Sequence, residues 1–151
     1  MPSQKLRNFL DENQTKYVLI VHSPAYTAQE IAASAHVPGK QLAKTVILKL
    51  DGKLAMCVMP ADQKVDFEKC KDQMNAEQVE LASEEEFKYA FPGCEIGAMP
   101  PFGNLYNIPV FVCKTLQQNN EIAFSAGNHR ELIKLNYKDF ERLVRPRVVE
   151  V

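Results

Sequence analysis

The strongest constraint on the fold is a pair of apolar segments joined by Asp51-Gly52. The segments cover residues 46–50 and 54–59, and almost every position in them is apolar. Asp-Gly favours a type I′ turn, in which both central residues have positive φ, so the pair is predicted to form a tight β-hairpin. Strands that are apolar on both faces are typical of the middle of a sheet. The chain is therefore predicted to build its core around this hairpin.

Capping signals divide the rest of the chain into short elements. Capping boxes begin helices at Thr27 and Ser83, and Asp66 and Asn136 are predicted as single N-caps. Pro38-Gly39 is expected to end the second helix. This mixed order predicts a mixed α/β (α+β) fold and not a doubly wound parallel sheet. Helices are expected near residues 6–10, 27–37, 66–74, 83–91 and 137–143, and further strands at 17–21, 109–113, 121–125 and 132–135.

Length and charge narrow the class of protein. With 151 residues the chain has room for one domain, residues 1–151. No apolar run approaches the ~20 residues of a membrane span and no signal-peptide core is present, so a cytoplasmic protein is expected. A net charge of −1 is unusual for a non-specific nucleic-acid binder. Any contact with nucleic acid therefore needs a local basic patch.

Several common sites are excluded by motif. The chain has no phosphate-binding P-loop, no G-x-S-x-G nucleophile elbow and no H-E-x-x-H metal motif. Its cysteines and histidines are scattered singly, which predicts free thiols in a reducing compartment and neither a disulfide framework nor a zinc site. These residues are Cys57, Cys70, Cys94, Cys113, His22, His36 and His129.

Lys44 lies at the entrance of the first apolar strand. If its ammonium group turns into a pocket, it supplies a fixed positive charge beside a carbonyl or a phosphate. The alternative is a solvated lysine at a strand end.

Residues 97–103, Gly-Ala-Met-Pro-Pro-Phe-Gly, are predicted to form a stiff loop. Glycine lets a ligand approach the backbone, whose N–H and C=O groups can then bind an amine or an ester oxygen. The alternative is an ordinary connection into the next strand.

A small-residue turn follows the strand at 121–125. Ser125 can hydrogen-bond a substrate, and the Gly127 amide can bind an oxyanion. His129 has two interpretations, a general base or a solvated turn residue. Cys113 is predicted to be a buried strand residue.

Together these segments resemble the YbaK/prolyl-tRNA-synthetase-associated domain family along nearly the whole chain. The loop at 97–103 and the segment around Lys44, where the chain enters the hairpin, are the most specific parts of the resemblance. The matching stretches are residues 27–30, 43–45, 58–61, 97–103, 125–127, 128–131 and 139–143.

The resemblance implies a mixed sheet curled around a substrate pocket, with helices packed outside. It also implies hydrolysis, in trans and without metal or cofactor, of the aminoacyl ester of mischarged tRNA. The implied partner is the aminoacyl-tRNA acceptor end, and an aminoacyl-tRNA synthetase is a second candidate partner. Such editing is needed because a synthetase separates amino acids that differ by one methylene only about 10- to 200-fold.

The resemblance also implies the site. Lys44 is the key pocket residue, the Gly97 backbone contacts the aminoacyl group, and Ser125 and Gly127 line the same pocket. Related sequences often carry an acidic residue near Cys113, so a change in pocket polarity is expected here. The remaining substrate-binding residues are expected to be His22, Met99, Pro101, Phe102, Gly103, Ala126 and His129.

Lys44 is expected to polarise the ester, with backbone amides near Gly97 or Gly127 binding the oxyanion. No strong general base is visible, so the 2′-hydroxyl of the terminal nucleotide is expected to help position the water. The acceptor end is expected to contact Lys40, Lys44, Lys64 and Arg130. Two alternatives stay open: a non-catalytic module that binds aminoacyl-tRNA or a synthetase, and a small-molecule ester or thioester hydrolase.

Overall fold

A computed structural model describes residues 4–25 and 27–151, without the side chains of residues 28 and 29. The helices are α1 (Gln4–Glu12), α2 (Ala28–Ala35), α3 (Phe67–Gln73), α4 (Glu84–Phe87), α5 (Lys114–Gln117) and α6 (Tyr137–Val144), with a 3₁₀ helix at Gly103–Tyr106. The strands are β1 (Val18–Val21), β2 (Leu42–Leu50), β3 (Lys53–Pro60), β4 (Val79–Leu81), β5 (Val110–Cys113), β6 (Glu121–Ser125), β7 (Glu131–Asn136) and β8 (Arg147–Val149).

The predicted hairpin is the centre of the sheet. Strands β2 and β3 pair antiparallel from Leu50 opposite Lys53 to Ala43 opposite Pro60. Asp51 and Gly52 have φ values of 50° and 85°, as a type I′ turn requires. The prediction of a central hairpin is confirmed.

The strands described form one open, mixed sheet in the order β1-β7-β6-β2-β3-β5-β8, and β4 pairs with β2 outside this path. The pairs β2–β6, β3–β5 and β5–β8 are parallel, while the others are antiparallel. The predicted mixed α/β fold is confirmed.

Strand β2 changes partner along one of its edges. Leu42 and Ala43 pair with β6, whereas residues 48–50 pair with β4. Among the strands described, none pairs with residues 44–47 on that edge. The resulting gap exposes the backbone and side chains of β2 at the position of Lys44.

Helices cover the sheet on both faces. Leu6 and Leu10 of α1 join Phe140 of α6 in the largest core cluster. Cys70 of α3 packs in a second cluster on the hairpin, and Ile31 of α2 packs in a third, smaller one. The third cluster contains Leu42 and Ala123, so α2 packs at the β2–β6 junction.

Three predictions at helix ends need correction, the first being the helix expected at residues 83–91, which ends at Phe87. Helix α2 ends at His36, which takes the left-handed conformation (φ 56°) two residues before Pro38-Gly39. Asn136 precedes α6 as predicted, but its side chain makes no capping hydrogen bond. The caps at Thr27, Asp66 and Ser83 are confirmed.

Candidate active site

A cleft opens at the gap beside β2. It encloses about 180 Å³ and brings together residues from α2, β2, the loop before β5 and the end of β6. Four apolar side chains and three polar ones line it, so the cleft suits a small ligand that carries both kinds of surface. Its lining residues are Ile31, Leu42, Ala43, Lys44, Thr45, Gly97, Met99 and Ser125.

Strand pairing places Lys44 beside Ser125. Ala43 and Phe124 are the last paired residues of β2 and β6, so Lys44 and Ser125 come next on two neighbouring parallel strands. Beyond this point the strands are no longer paired, and both residues line the cleft. Lys44 is therefore not a fully solvated lysine at a strand end.

The environment of Lys44 changes its acidity. Partial burial lowers the pKa of the ammonium group below its ordinary value of 10.5. The carboxylate of Asp62 acts in the opposite direction and raises this pKa, whereas the cationic side chain of Lys64 lowers it. Lys64 was expected near the site as a contact of the acceptor end, whereas Asp62 was not predicted, because it follows β3 in a loop without periodicity.

Gly97 brings the loop backbone to the cleft. Its φ of 88° lies in the region that favours glycine, so a side chain here is strained whatever the space. The Gly97 N–H donates to the Met99 sulfur (3.2 Å), and the carbonyl of Ile96 accepts from His129 Nε2 (2.9 Å). The Gly97 nitrogen and the Ile96 carbonyl oxygen belong to the same peptide group, which lies at the wall of the cleft.

Gly127 ties the same loop to the end of β6. Its N–H donates to the Ala98 carbonyl (2.9 Å), and its own carbonyl accepts from the Glu95 N–H (2.8 Å). The prediction that the Gly127 amide binds an oxyanion is therefore wrong, because its donor is already engaged. Ala126 beside it is fully buried and does not line the cleft.

His129 is not a solvated turn residue, since it is only 9% exposed. A carbonyl oxygen can only accept, so the Nε2 atom that faces Ile96 carries a proton. Nε2 is engaged with this carbonyl, and His129 is not among the residues that line the cleft, so the structure gives no support to a general base here.

Other predicted contacts lie away from the cleft. Phe102 is fully buried, with its ring centroid 5.5 Å from that of Phe124. A Cβ on Gly103 would lie 2.6 Å from the Ile108 carbonyl, so packing accounts for this glycine. Pro101 is buried beside them.

Neither His22 nor Cys113 is among the residues that line the cleft. His22 is buried, and its Nδ1 donates to the Ser23 carbonyl (2.7 Å). Cys113 is the predicted buried strand residue, but its thiol lies near the side chains of Gln63 (3.1 Å) and Thr115 (3.2 Å). Cys113 therefore does not contact the cleft directly, and its expected effect on pocket polarity is not supported by such a contact.

Four lining residues were not predicted: Ile31, Leu42, Ala43 and Thr45. Ala43 and Thr45 flank Lys44 on β2 and Leu42 precedes them, so the position of Lys44 in the sequence already pointed to these three residues. Ile31 was predicted as a buried helix residue, and nothing in the sequence places α2 over the end of β2.

The described part of the chain holds neither a metal cluster nor a membrane span. No group of three His, Cys, Asp or Glu side chains within residues 4–25 and 27–151 could hold a metal ion. No helix in the same ranges is both long and apolar enough to cross a bilayer.

Fold and cleft define a mixed α/β domain that presents a small, partly polar binding site between strand ends. Residues 22–143 match the family model of the aminoacyl-tRNA editing domain. This match covers well over half of the chain, so the protein belongs to the aminoacyl-tRNA editing domain family. The resemblance inferred from the sequence is confirmed.

Individual relatives agree with this assignment. The chain is 27% identical over 143 residues to the prolyl-tRNA editing protein ProX of Acetoanaerobium sticklandii, covering 90% of this chain and 86% of that one. It is 33% identical over 75 residues to a proline–tRNA ligase of Bacillus mycoides, covering 50% of this chain and 13% of the ligase.

A solved structure described as a candidate trans-editing enzyme for prolyl tRNA synthetase shares the fold. It superposes with a TM-score of 0.82 at 20% identity, over 98% of this chain and 94% of the other.

Proposed function

We propose that this chain, as one domain spanning residues 1–151, hydrolyses the ester bond between tRNA and a wrongly attached amino acid. The observation that carries the proposal is the meeting of Lys44, Gly97 and Ser125 in one small cleft of an editing domain. The resemblance to a free-standing editing protein over 90% of the chain supports action in trans. The cytoplasm, where tRNA is charged, is the proposed location, and a synthetase is a proposed partner.

In the proposed reaction, water attacks the carbonyl carbon of the ester, and the carbon–oxygen bond to the terminal ribose breaks. One water proton ends on the ribose oxygen that leaves. Lys44 places its positive charge beside the carbonyl oxygen, and the Gly97 N–H donates to the oxyanion that develops there. One such donor contributes about a hundredfold or more to the rate. Ser125 hydrogen-bonds the aminoacyl group.

Water activation is assigned to the substrate. The residues that line the cleft include no His, Asp or Glu side chain. The 2′-hydroxyl of the terminal nucleotide is the proposed group that positions the attacking water. The leaving alkoxide is stabilised by the same neighbouring hydroxyl.

The size of the cleft restricts the amino acid. Ile31, Leu42 and Met99 form its apolar walls, and its volume of about 180 Å³ favours a small side chain. The proposed substrates are esters of small residues, namely alanine, serine, threonine, proline and cysteine.

The test is hydrolysis of a panel of mischarged tRNAs that carry these five amino acids. Wild-type protein is expected to cleave one or a few esters, Lys44→Ala to lose the activity, and a terminal 2′-deoxy tRNA to react much more slowly. Lys53→Ala is the matched control, because Lys53 is exposed at the opposite end of the hairpin.

Binding of charged tRNA without turnover would instead identify a non-catalytic binding module. Cleavage of simple esters or thioesters without salt-dependent tRNA binding would identify a small-molecule hydrolase.

A further inference from the structure

The peptide group between Ile96 and Gly97 is held at both ends. Its carbonyl accepts from His129 Nε2 (2.9 Å), and its N–H donates to Met99 Sδ (3.2 Å). In a trans peptide the C=O and N–H bonds point in opposite directions. Fixing the carbonyl on the His129 side therefore turns the Gly97 N–H to the other side, toward Met99, which lines the cleft.

The two bonds differ in strength. An imidazole N–H to a carbonyl oxygen is an ordinary hydrogen bond, whereas a thioether sulfur is a weak acceptor. Two neighbouring amides, those of Ala98 and Gly127, donate to carbonyl oxygens at 3.0 and 2.9 Å. Of these three amides, the Gly97 N–H therefore has the acceptor that an ester oxygen displaces most easily.

The surroundings of His129 keep its ring in place. The ring atom Cε1 lies 3.5 Å from the position that a Cβ on Gly97 would occupy, so the ring packs directly against the glycine. The preceding residue, Asn128, accepts the N–H groups of Arg130 (2.8 Å) and Glu131 (2.9 Å) through its side-chain oxygen. A buried ring on a fixed turn is a rigid support.

We propose that His129 is a positioning residue that presets the Gly97 N–H as the oxyanion donor. The Met99 sulfur accepts the hydrogen bond from this donor, and the carbonyl oxygen of the ester replaces the sulfur on binding. Donors that are already oriented cost no reorganisation when charge develops. The assignment deepens the proposed hydrolysis and rests on it for its chemical role.

The orientation is tested first without substrate, by ¹⁵N relaxation of the Gly97 amide. Wild type is expected to give an order parameter of about 0.85, and His129→Phe, which keeps a ring but loses the donor, a value below about 0.6. Met99→Leu, which removes the acceptor, is expected to lower it as well. Amides of β2 and β3 serve as the internal reference for an intact fold, and exposed His36→Gln as the control.

The catalytic role is tested on the mischarged tRNA that wild type cleaves fastest. His129→Phe is expected to lower kcat about a hundredfold while KM stays within about threefold, because the hydrogen bond from the Gly97 N–H to the ester oxygen strengthens most when negative charge develops on that oxygen. His129→Gln, which retains an N–H donor, is expected to recover at least about tenfold of the loss. A purely structural role would lower the melting temperature without this split between kcat and KM.

An unchanged Gly97 order parameter in His129→Phe would overturn the positioning role, whatever the activity. So would an unchanged kcat. If the wild type cleaves no ester, the proposed function fails, and the relaxation measurement still decides whether His129 holds the peptide. If His129→Phe does not fold, His129→Gln and Met99→Leu decide the same question.

Discussion

At the cleft, two charged neighbours act on Lys44 in opposite directions. Asp62 raises the pKa of its ammonium group and Lys64 lowers it, against a larger lowering by burial. Only the protonated form carries the charge proposed to polarise the ester. Activity is therefore expected to fall as the pH rises through the lowered pKa of Lys44.

Neutralising either Asp62 or Lys64 is expected to move the alkaline limb of the pH–rate profile, which is the range in which activity falls. Asp62→Asn removes the group that raises the pKa, so the limb shifts to lower pH. Lys64→Gln removes a group that lowers the pKa, so the limb shifts to higher pH. The measurement is kcat/KM against pH, corrected for spontaneous ester hydrolysis. Shifts in the same direction, or none, would show that another group controls the limb.

Sequence reasoning at the residue scale placed Lys44, Gly97 and Ser125 as candidate site residues, and all three line one cleft. A charged residue at a strand entry and a glycine beside a proline-rich loop are visible without a structure. The engaged Gly127 amide and the burial of His129 were not visible. Both depend on hydrogen bonds between the loop near residue 96 and a turn far along the chain, and periodicity carries no information about such contacts.

Among the elements, the hairpin turn also anchors a neighbouring strand. Asp51 Oδ1 accepts the N–H groups of Glu77 (3.1 Å) and Gln78 (2.9 Å), and the Asp51 N–H donates to the Gln78 carbonyl (3.0 Å). These bonds hold the start of β4 against the end of β2. One side chain therefore supports the turn and the second partner of β2.

Asp51→Ala is expected to lower the free energy of unfolding by about 1–2 kcal/mol, because two hydrogen bonds from amides disappear and alanine is strained at positive φ. Asp51→Asn keeps an acceptor oxygen and tolerates this conformation, so its loss of stability is expected to be less than half as large. Urea unfolding measures both. Equal losses would mean that the carboxylate oxygen is not the group that matters.

Helices and strands with a strong local sequence pattern were predicted from the sequence, whereas those with a weak pattern were missed. The hairpin, the N-caps Thr27, Asp66 and Ser83, and strand β6 (Glu121–Ser125) were predicted closely. Strands β4 and β8 were missed, because each has three residues without clear alternation. Their pairing depends on partners that are distant in sequence, which short windows cannot detect.

On the scale of the whole molecule, a net charge of −1 leaves no general attraction to tRNA. Binding of the acceptor end is therefore assigned to a few local lysines. Lys64 lies close enough to Lys44 to lower its pKa, and Lys40 lines an adjoining polar cleft with Asp62. A small number of neutralised phosphates gives a shallow dependence of affinity on salt.

Lys40→Ala and Lys64→Ala are each expected to weaken tRNA binding. Each should reduce the slope of log K against log salt by about 0.7–0.9 for every phosphate that the lysine neutralises in the wild type. Lys53→Ala, at the far end of the hairpin, is expected to leave affinity and slope unchanged. Titrations at several salt concentrations measure both quantities. A slope unaffected by both cleft variants would place the acceptor end on another surface.

The register of the central hairpin has a consequence for the identity of the site. Lys44 stands opposite Met59 only because the turn at Asp51-Gly52 has two residues. Side chains alternate between faces, so a slip of one residue would move the charge of Lys44 to the opposite side of the sheet. The turn at the tip of the hairpin, which is remote from the cleft, therefore sets the register that places Lys44 at the cleft.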